Sequence, residues 1–139
     1  SPADIFGAKR GYKVLLWTRD HVPLLQNAML TTDKQLKTAP DKVKRTIKAS
    51  IEALRFIQSN AAGTTEVIRK RFNMDEKLAR ESYDVVVNSF SRDGRVPLDG
   101  VDILLQIEKD AKTIPATVTA QMIVEPSLAE EALKELGVK

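Results

Sequence analysis

Pro40-Asp41-Lys42-Val43-Lys44-Arg45-Thr46-Ile47-Lys48-Ala49-Ser50-Ile51-Glu52-Ala53-Leu54-Arg55-Phe56-Ile57 is the stretch that decides how this chain folds. Val43, Ile47, Ile51, Leu54 and Ile57 recur at spacings of four, four, three and three, which lines them up along one side of an α-helix. Pro40 sits where a helix begins, because a residue in the first turn has no intrahelical use for the N–H that proline lacks. The spacing therefore predicts a long amphipathic helix that starts at Pro40-Asp41 and buries one stripe.

Downstream the same periodicity returns again and again. Ala61-Ala62-Gly63 interrupts it, and Thr64 or Thr65 is read as the cap of a helix through Val67, Ile68 and Phe72. Asn73-Met74-Asp75 reads as a turn with Asp75 as N-cap, followed by Leu78, Ala79, Ser82, Tyr83, Val86 and Phe90 on one face. Ser91-Arg92-Asp93-Gly94-Arg95 ends that helix, and helical patterns on both sides of Asp93-Gly94 argue against a hairpin. Val96-Pro97-Leu98-Asp99 opens another helix, carrying Val101, Leu104 and Leu105. Lys112 to Val124 mixes extended and helical preferences and is read as a loop. Pro126-Ser127 starts a last helix through Leu128, Ala132, Leu133 and Leu136, closed by Gly137.

Upstream the signals change. After a turn at Gly11, Tyr12-Lys13-Val14-Leu15-Leu16-Trp17 is a short apolar run of strand formers and reads as a buried strand. Arg19 to Pro23 breaks it as a loop, Asn27 to Thr32 reads as a second strand, and Asp33 caps a short turn through Leu36. Two strands alone are marginal in water. With five or so helices behind them, the expected fold class is a predominantly helical α/β fragment, the end of a larger α/β protein.

Composition narrows the function classes. The chain has 139 residues, with 22 Lys and Arg against 19 Asp and Glu, interspersed to a net charge of +3, which describes a solvated surface. Neither basic run, Lys42-Lys44-Arg45-Lys48 nor Arg69-Lys70-Arg71, carries the aromatic partners or motif of a nucleic-acid binder, so no nucleic-acid partner is expected. The absence of cysteine removes disulfides, thiolate metal sites and thiol nucleophiles, and His21 as the single histidine cannot build a multi-histidine metal site. No phosphate-cradling glycine motif is present. Asp99 with Asp102, and Glu130 with Glu131, fall near helix starts, where acidic groups favour the positive end of the dipole. No catalytic residue, no metal and no cofactor is expected, and the chain reads as no enzyme. There is no signal-peptide pattern at Ser1 to Phe6 and no run of about 20 apolar residues.

Several segments, taken in order, carry a resemblance. Thr31 to Asn60 looks like a strand end, a short helix, a proline-acid pair and a helix closing in an apolar or aromatic cluster. Phe72-Asn73-Met74-Asp75 with Leu78-Ala79, then Ser89-Phe90-Ser91-Arg92-Asp93-Gly94, then Val124-Glu125-Pro126-Ser127-Leu128 with Ala132 to Gly137, follow in sequence. In this order the chain resembles the C-terminal portion of periplasmic solute-binding proteins of the nitrate/sulfonate/taurine class of ABC importers. The resemblance implies a type II, two-lobed periplasmic-binding-protein fold, with residues 1–30 as the end of the second lobe and the hinge strand, and residues 31–139 as the helical return to the first lobe. It also implies capture of a small solute, such as a sulfonate, taurine, nitrate or a pyrimidine-like precursor, for delivery to a permease in the membrane. A periplasmic location is implied, with a signal peptide in a preceding part.

The residues flanking the two strand ends, Trp17, Arg19, Asp20, Gln26 and Asn27, are the expected ligand contacts, with Arg19 placed to meet an anion in a bidentate contact. The chain departs from the family in length, since most of the two lobes is missing. A homodimer formed by pairing exposed strand edges is expected of the chain alone. Two alternatives remain: a relative of the thiamine-precursor pyrimidine synthases, which share the fold but use a cysteine-rich segment, and a self-standing helical interaction module.

Overall fold

The computed structural model describes residues 2–17, 21, 25 and 27–138. Of these, 66% are helical and none lies in a β-strand. The helices are α1 (Pro2–Lys9), α2 (Asp33–Thr38), α3 (Pro40–Ser59), α4 (Ala61–Phe72), α5 (Glu76–Val86), α6 (Leu98–Asp110), α7 (Ala120–Ile123) and α8 (Ser127–Glu135), with a 3₁₀ turn at Val87–Ser89. Contacts divide the chain into one unit of residues 1–18 and 52–92 and another of residues 19–51 and 93–139, so the division falls within α3.

Both strand readings are corrected. Tyr12 to Trp17 runs outside any helix or strand, and Tyr12, Val14, Leu15 and Leu16 are exposed, Leu15 by 94%. Asn27 to Thr32 is likewise irregular and exposed, with Leu30 at 92%. Strand formers make a strand only when a neighbouring strand takes up the ladder, and among the described residues none does. Among the described residues there is therefore no strand, while the predominantly helical part of the expected fold class stands.

Long α3 starts at Pro40, and the predicted stripe is its inner side: Ile51 is buried, and Val43, Ile47, Leu54 and Ile57 are half-buried. In the second unit, Ile47 and Ile51 pack on Ala132, Leu133, Leu136 and Val138 at the end of the chain. Ion pairs flank that seam, from Lys44 Nζ to Glu131 Oε2 (3.1 Å) and Glu135 Oε1 (3.0 Å), and from Lys48 Nζ to Glu135 Oε2 (2.9 Å). Lys44 and Lys48, read from the sequence as plain solvated charge, thus tie α3 to α8. A second cluster joins Val101 and Leu105 of α6 to Ala120 of α7, with Leu25, Val96 and Ile114 against them. The short helix α7 corrects the loop reading of Lys112 to Val124.

Helix α8 closes as expected. Gly137 adopts φ +65°, its N–H reaches the Lys134 carbonyl (3.2 Å), and the Val138 N–H reaches the Leu133 carbonyl (2.9 Å). This paired closure satisfies carbonyls that the helix end would otherwise leave open.

In the first unit, α4 and α5 pack on each other around the turn Asn73 to Asp75. Asn73 takes the left-handed conformation, φ 50°, and its N–H bonds the Arg69 carbonyl. Asp75 Oδ1 accepts from the Leu78 N–H (2.8 Å), as its N-cap reading requires. The α4 cap is Asn60, whose Oδ1 accepts from the Gly63 N–H (2.8 Å); Thr64 and Thr65 are buried inside the helix and cap nothing. Likewise Thr32, rather than Asp33, caps α2 through its hydroxyl. Buried Leu78, Ala79, Ser82 and Tyr83 form the inner face of α5, and Phe90 falls beyond it, after the 3₁₀ turn.

Candidate functional site

Of the residues expected to meet a ligand, Arg19, Asp20 and Gln26 lie outside the described residues. Trp17 is half-buried and belongs to the first unit, whereas Asn27 is exposed and belongs to the second. Among the described residues no group of three or more His, Asp or Glu stands together as a metal site. No helix of the described residues is long and apolar enough to cross a membrane.

The described residues do form a hollow that the sequence reading missed. It is an open groove bordered by the C-terminal part of α3, by α4 and by α5, all within the first unit, with a volume of about 590 Å³. Ala53, Phe56 and Ile57 line it from α3, Val67, Ile68 and Phe72 from α4, and Ser82, Tyr83 and Val86 from α5. The helical spacing that produces an apolar stripe also produces these walls, since residues three and four apart share a face. Two local features shape the lining. The Tyr83 hydroxyl donates to the Ile57 carbonyl (2.9 Å), which pins α5 to the end of α3. Gly63 lets the Phe56 ring and the Asn60 amide close in, because a Cβ there would lie 2.8 Å from each.

Polar character in the hollow is sparse. Tyr83 has spent its hydroxyl on Ile57, and the Ser82 hydroxyl lies 3.9 Å from the Met74 sulfur. Thr64 is only 7% exposed, and its buried Oγ1 has no hydrogen-bond partner. A buried hydroxyl without a partner costs about 1–3 kcal/mol, so its presence there calls for a reason. The sequence pointed to Thr64 or Thr65 as the cap; Asn60, a residue of the capping type three before Gly63, was the signal for the actual one.

Beside this hollow, α4 and α5 carry a charged cluster. Arg69 Nε and Nη2 grip the Glu66 carboxylate at 2.7 and 2.8 Å, and Lys70 Nζ adds a contact at 3.2 Å. Arg69 first, and then Lys70, hold the Glu66 carboxyl down to about 2. Arg80 pairs with Asp84 (3.1 Å) and lies over the Tyr83 ring, 5.6 Å from its centre. These cations are neutralised within their own helices, so the cluster reads as a solvated face.

Comparison of the chain with protein-family models, with curated proteins and with solved structures found no match.

Proposed function

We propose that this chain serves in the capture of a small solute without bond chemistry, as the helical closing part of a two-lobed binding protein of the nitrate/sulfonate/taurine class that hands its solute to a membrane permease. One observation carries the reading. Tyr12 to Leu16 and Met29 to Leu30 lie outside any helix or strand and hold apolar side chains in the open. Strand-forming residues in that condition fit a sheet whose other strands come from polypeptide beyond these residues. In such a protein two lobes close about a hinge on a small ligand, and Arg19 supplies a guanidinium suited to a sulfonate or nitrate oxygen pair.

The test is thermal melting of the natural protein that carries this chain, with taurine, an alkanesulfonate, nitrate and a pyrimidine added in turn. A ligand that binds only the native state raises the melting temperature. One member of the panel is expected to do so, and Arg19→Ala and Trp17→Ala are each expected to weaken that ligand in calorimetry with helix content unchanged. No rise with any member overturns the reading, and unchanged affinity in both variants removes these residues from the site.

A further inference from the structure

We propose that the turn after α1 docks on an anionic membrane surface, with Lys9, Arg10 and Lys13 meeting lipid phosphates and Phe6, Tyr12 and Leu15 entering the boundary between headgroups and acyl chains. This goes beyond solute capture and uses other side chains than the expected ligand contacts. Local hydrogen bonds build the turn. Gly11 takes φ +85°, the Tyr12 N–H bonds the Gly7 carbonyl (3.0 Å) and the Gly11 N–H bonds the Ala8 carbonyl (3.0 Å), the same paired closure that ends α8. Tyr12 is thereby brought back beside α1, its Cβ 3.8 Å from where a Cβ on Gly7 would stand.

Charge and exposure together select the partner. From Ile5 to Arg19 the sequence holds no Asp or Glu. Lys9, Arg10 and Lys13 are exposed, and among the described residues no ion pair reaches them. Phe6, Tyr12, Val14, Leu15 and Leu16 are exposed in the same stretch. A nucleic acid would use the cations and the Tyr12 ring but leave Val14, Leu15 and Leu16 in water, whereas a lipid interface takes up both kinds of side chain. A cation held at an anionic surface raises affinity about fivefold, so the three together supply on the order of a hundredfold. Pairing of Tyr12 to Leu16 with another strand would occupy the backbone edge, and alternation would still leave Lys13 and Leu15 on one face, with Lys9 and Arg10 outside the paired stretch.

Vesicles of two parts phosphatidylcholine to one part phosphatidylglycerol, and vesicles of phosphatidylcholine alone, are the probes. The purified chain is expected to sediment with the anionic vesicles, to bind the neutral ones on the order of a hundredfold more weakly, and to leave the anionic ones in molar salt. Lys9→Gln, Arg10→Gln and Lys13→Gln combined in one chain should lose the same factor with helix content unchanged. Leu15→Ser should lose about tenfold on the anionic vesicles and keep the salt dependence. Trp17 is the single tryptophan and lies two residues beyond Leu15, so its quenching by brominated acyl chains separates insertion of the turn from adsorption by charge alone. Equal binding to both kinds of vesicle, undiminished binding by the triple variant, or no quenching overturns the proposal. Tighter binding of single-stranded DNA, with Leu15→Ser at the parent's affinity, overturns it in favour of a nucleic acid. A chain that pairs with its own copy and leaves anionic vesicles untouched overturns it in favour of a dimer face.

Discussion

Two residues set the start of the helices that build the first unit. Asn60 and Asp75 each accept a backbone N–H at 2.8 Å, from Gly63 and Leu78 respectively. Removing such an acceptor leaves an orphan donor, so Asn60→Ala and Asp75→Ala are each expected to cost about 1 kcal/mol, read as a fall in urea midpoint at unchanged slope. The Asp75 cap was legible in the sequence, because an acid just ahead of an apolar periodic run has few other local uses. The Asn60 cap was not, because Ala61-Ala62-Gly63 looks like an interruption when it is in fact the first turn of α4. Core position Ile51 gives a sharper contrast. It is 3% exposed against Ala132 and Leu133, whereas Leu54, on the same stripe, is half-buried. Ile51→Asp should therefore destabilise by several kcal/mol and Leu54→Asp by less, since an unpaired charge is costly in proportion to its loss of water. Equal melting temperatures for the two variants would show that the stripe is not buried as described.

Helix α3 meets α8 along an apolar seam edged with charge, and the charges set its response to pH and salt. Lys48 first, and then Lys44, hold the Glu135 carboxyl below its ordinary value, while hydrogen bonds from Arg95 lower Glu130. A carboxyl held low in the folded chain is ionised there at pH values where the unfolded chain has already taken up a proton. Its contribution is therefore complete above about 4.5, and for Glu66 it is lost as the pH falls from there to about 2. Lys44 has the opposite sign: its pKa is raised, chiefly by Glu135 and then Glu131, so its contribution holds below 10.5 and fades as the pH climbs through the raised value. Denaturant midpoints measured against pH should fall on the acid side. At molar salt the fall should be shallower, since exposed pairs are screened. A midpoint that rises on acidification would contradict the pairing. Which surface lysines find partners was not legible, because Lys44 and Glu131 are brought together by the fold and their sequence separation says nothing about it. Helices with a repeating apolar face were legible for the converse reason, as in α3 and α5, where the pattern is local. In α7 it is too short to rise above the mixed propensities of Lys112 to Val124.

At the scale of the whole molecule, helices that carry their own small cores stand against two apolar irregular segments that carry none. Tyr12 and Leu16 are 73% and 59% exposed, and Met29 is 50% exposed. Sequence reading placed these segments inside a sheet because it weighed residue preference, and preference is silent on whether a partner strand is at hand. Exposed strand-forming segments readily recruit an equivalent segment from another copy, and apolar stretches of this kind seldom stay in contact with water on a monomer. The isolated chain is therefore expected to associate at micromolar concentration, most simply as a twofold dimer in which equivalent segments pair. Sedimentation velocity and light scattering measure this directly, and amide infrared absorption should gain an extended component that a single copy lacks. Leu15→Lys with Leu30→Lys places charge at a strongly exposed apolar position of each segment, and should shift the chain towards monomer with helix content unchanged. If the parent chain sediments as a monomer with sharp amide resonances throughout 12–17 and 27–32, these segments are content in water, the argument for missing sheet neighbours fails, and the chain is a self-standing helical module.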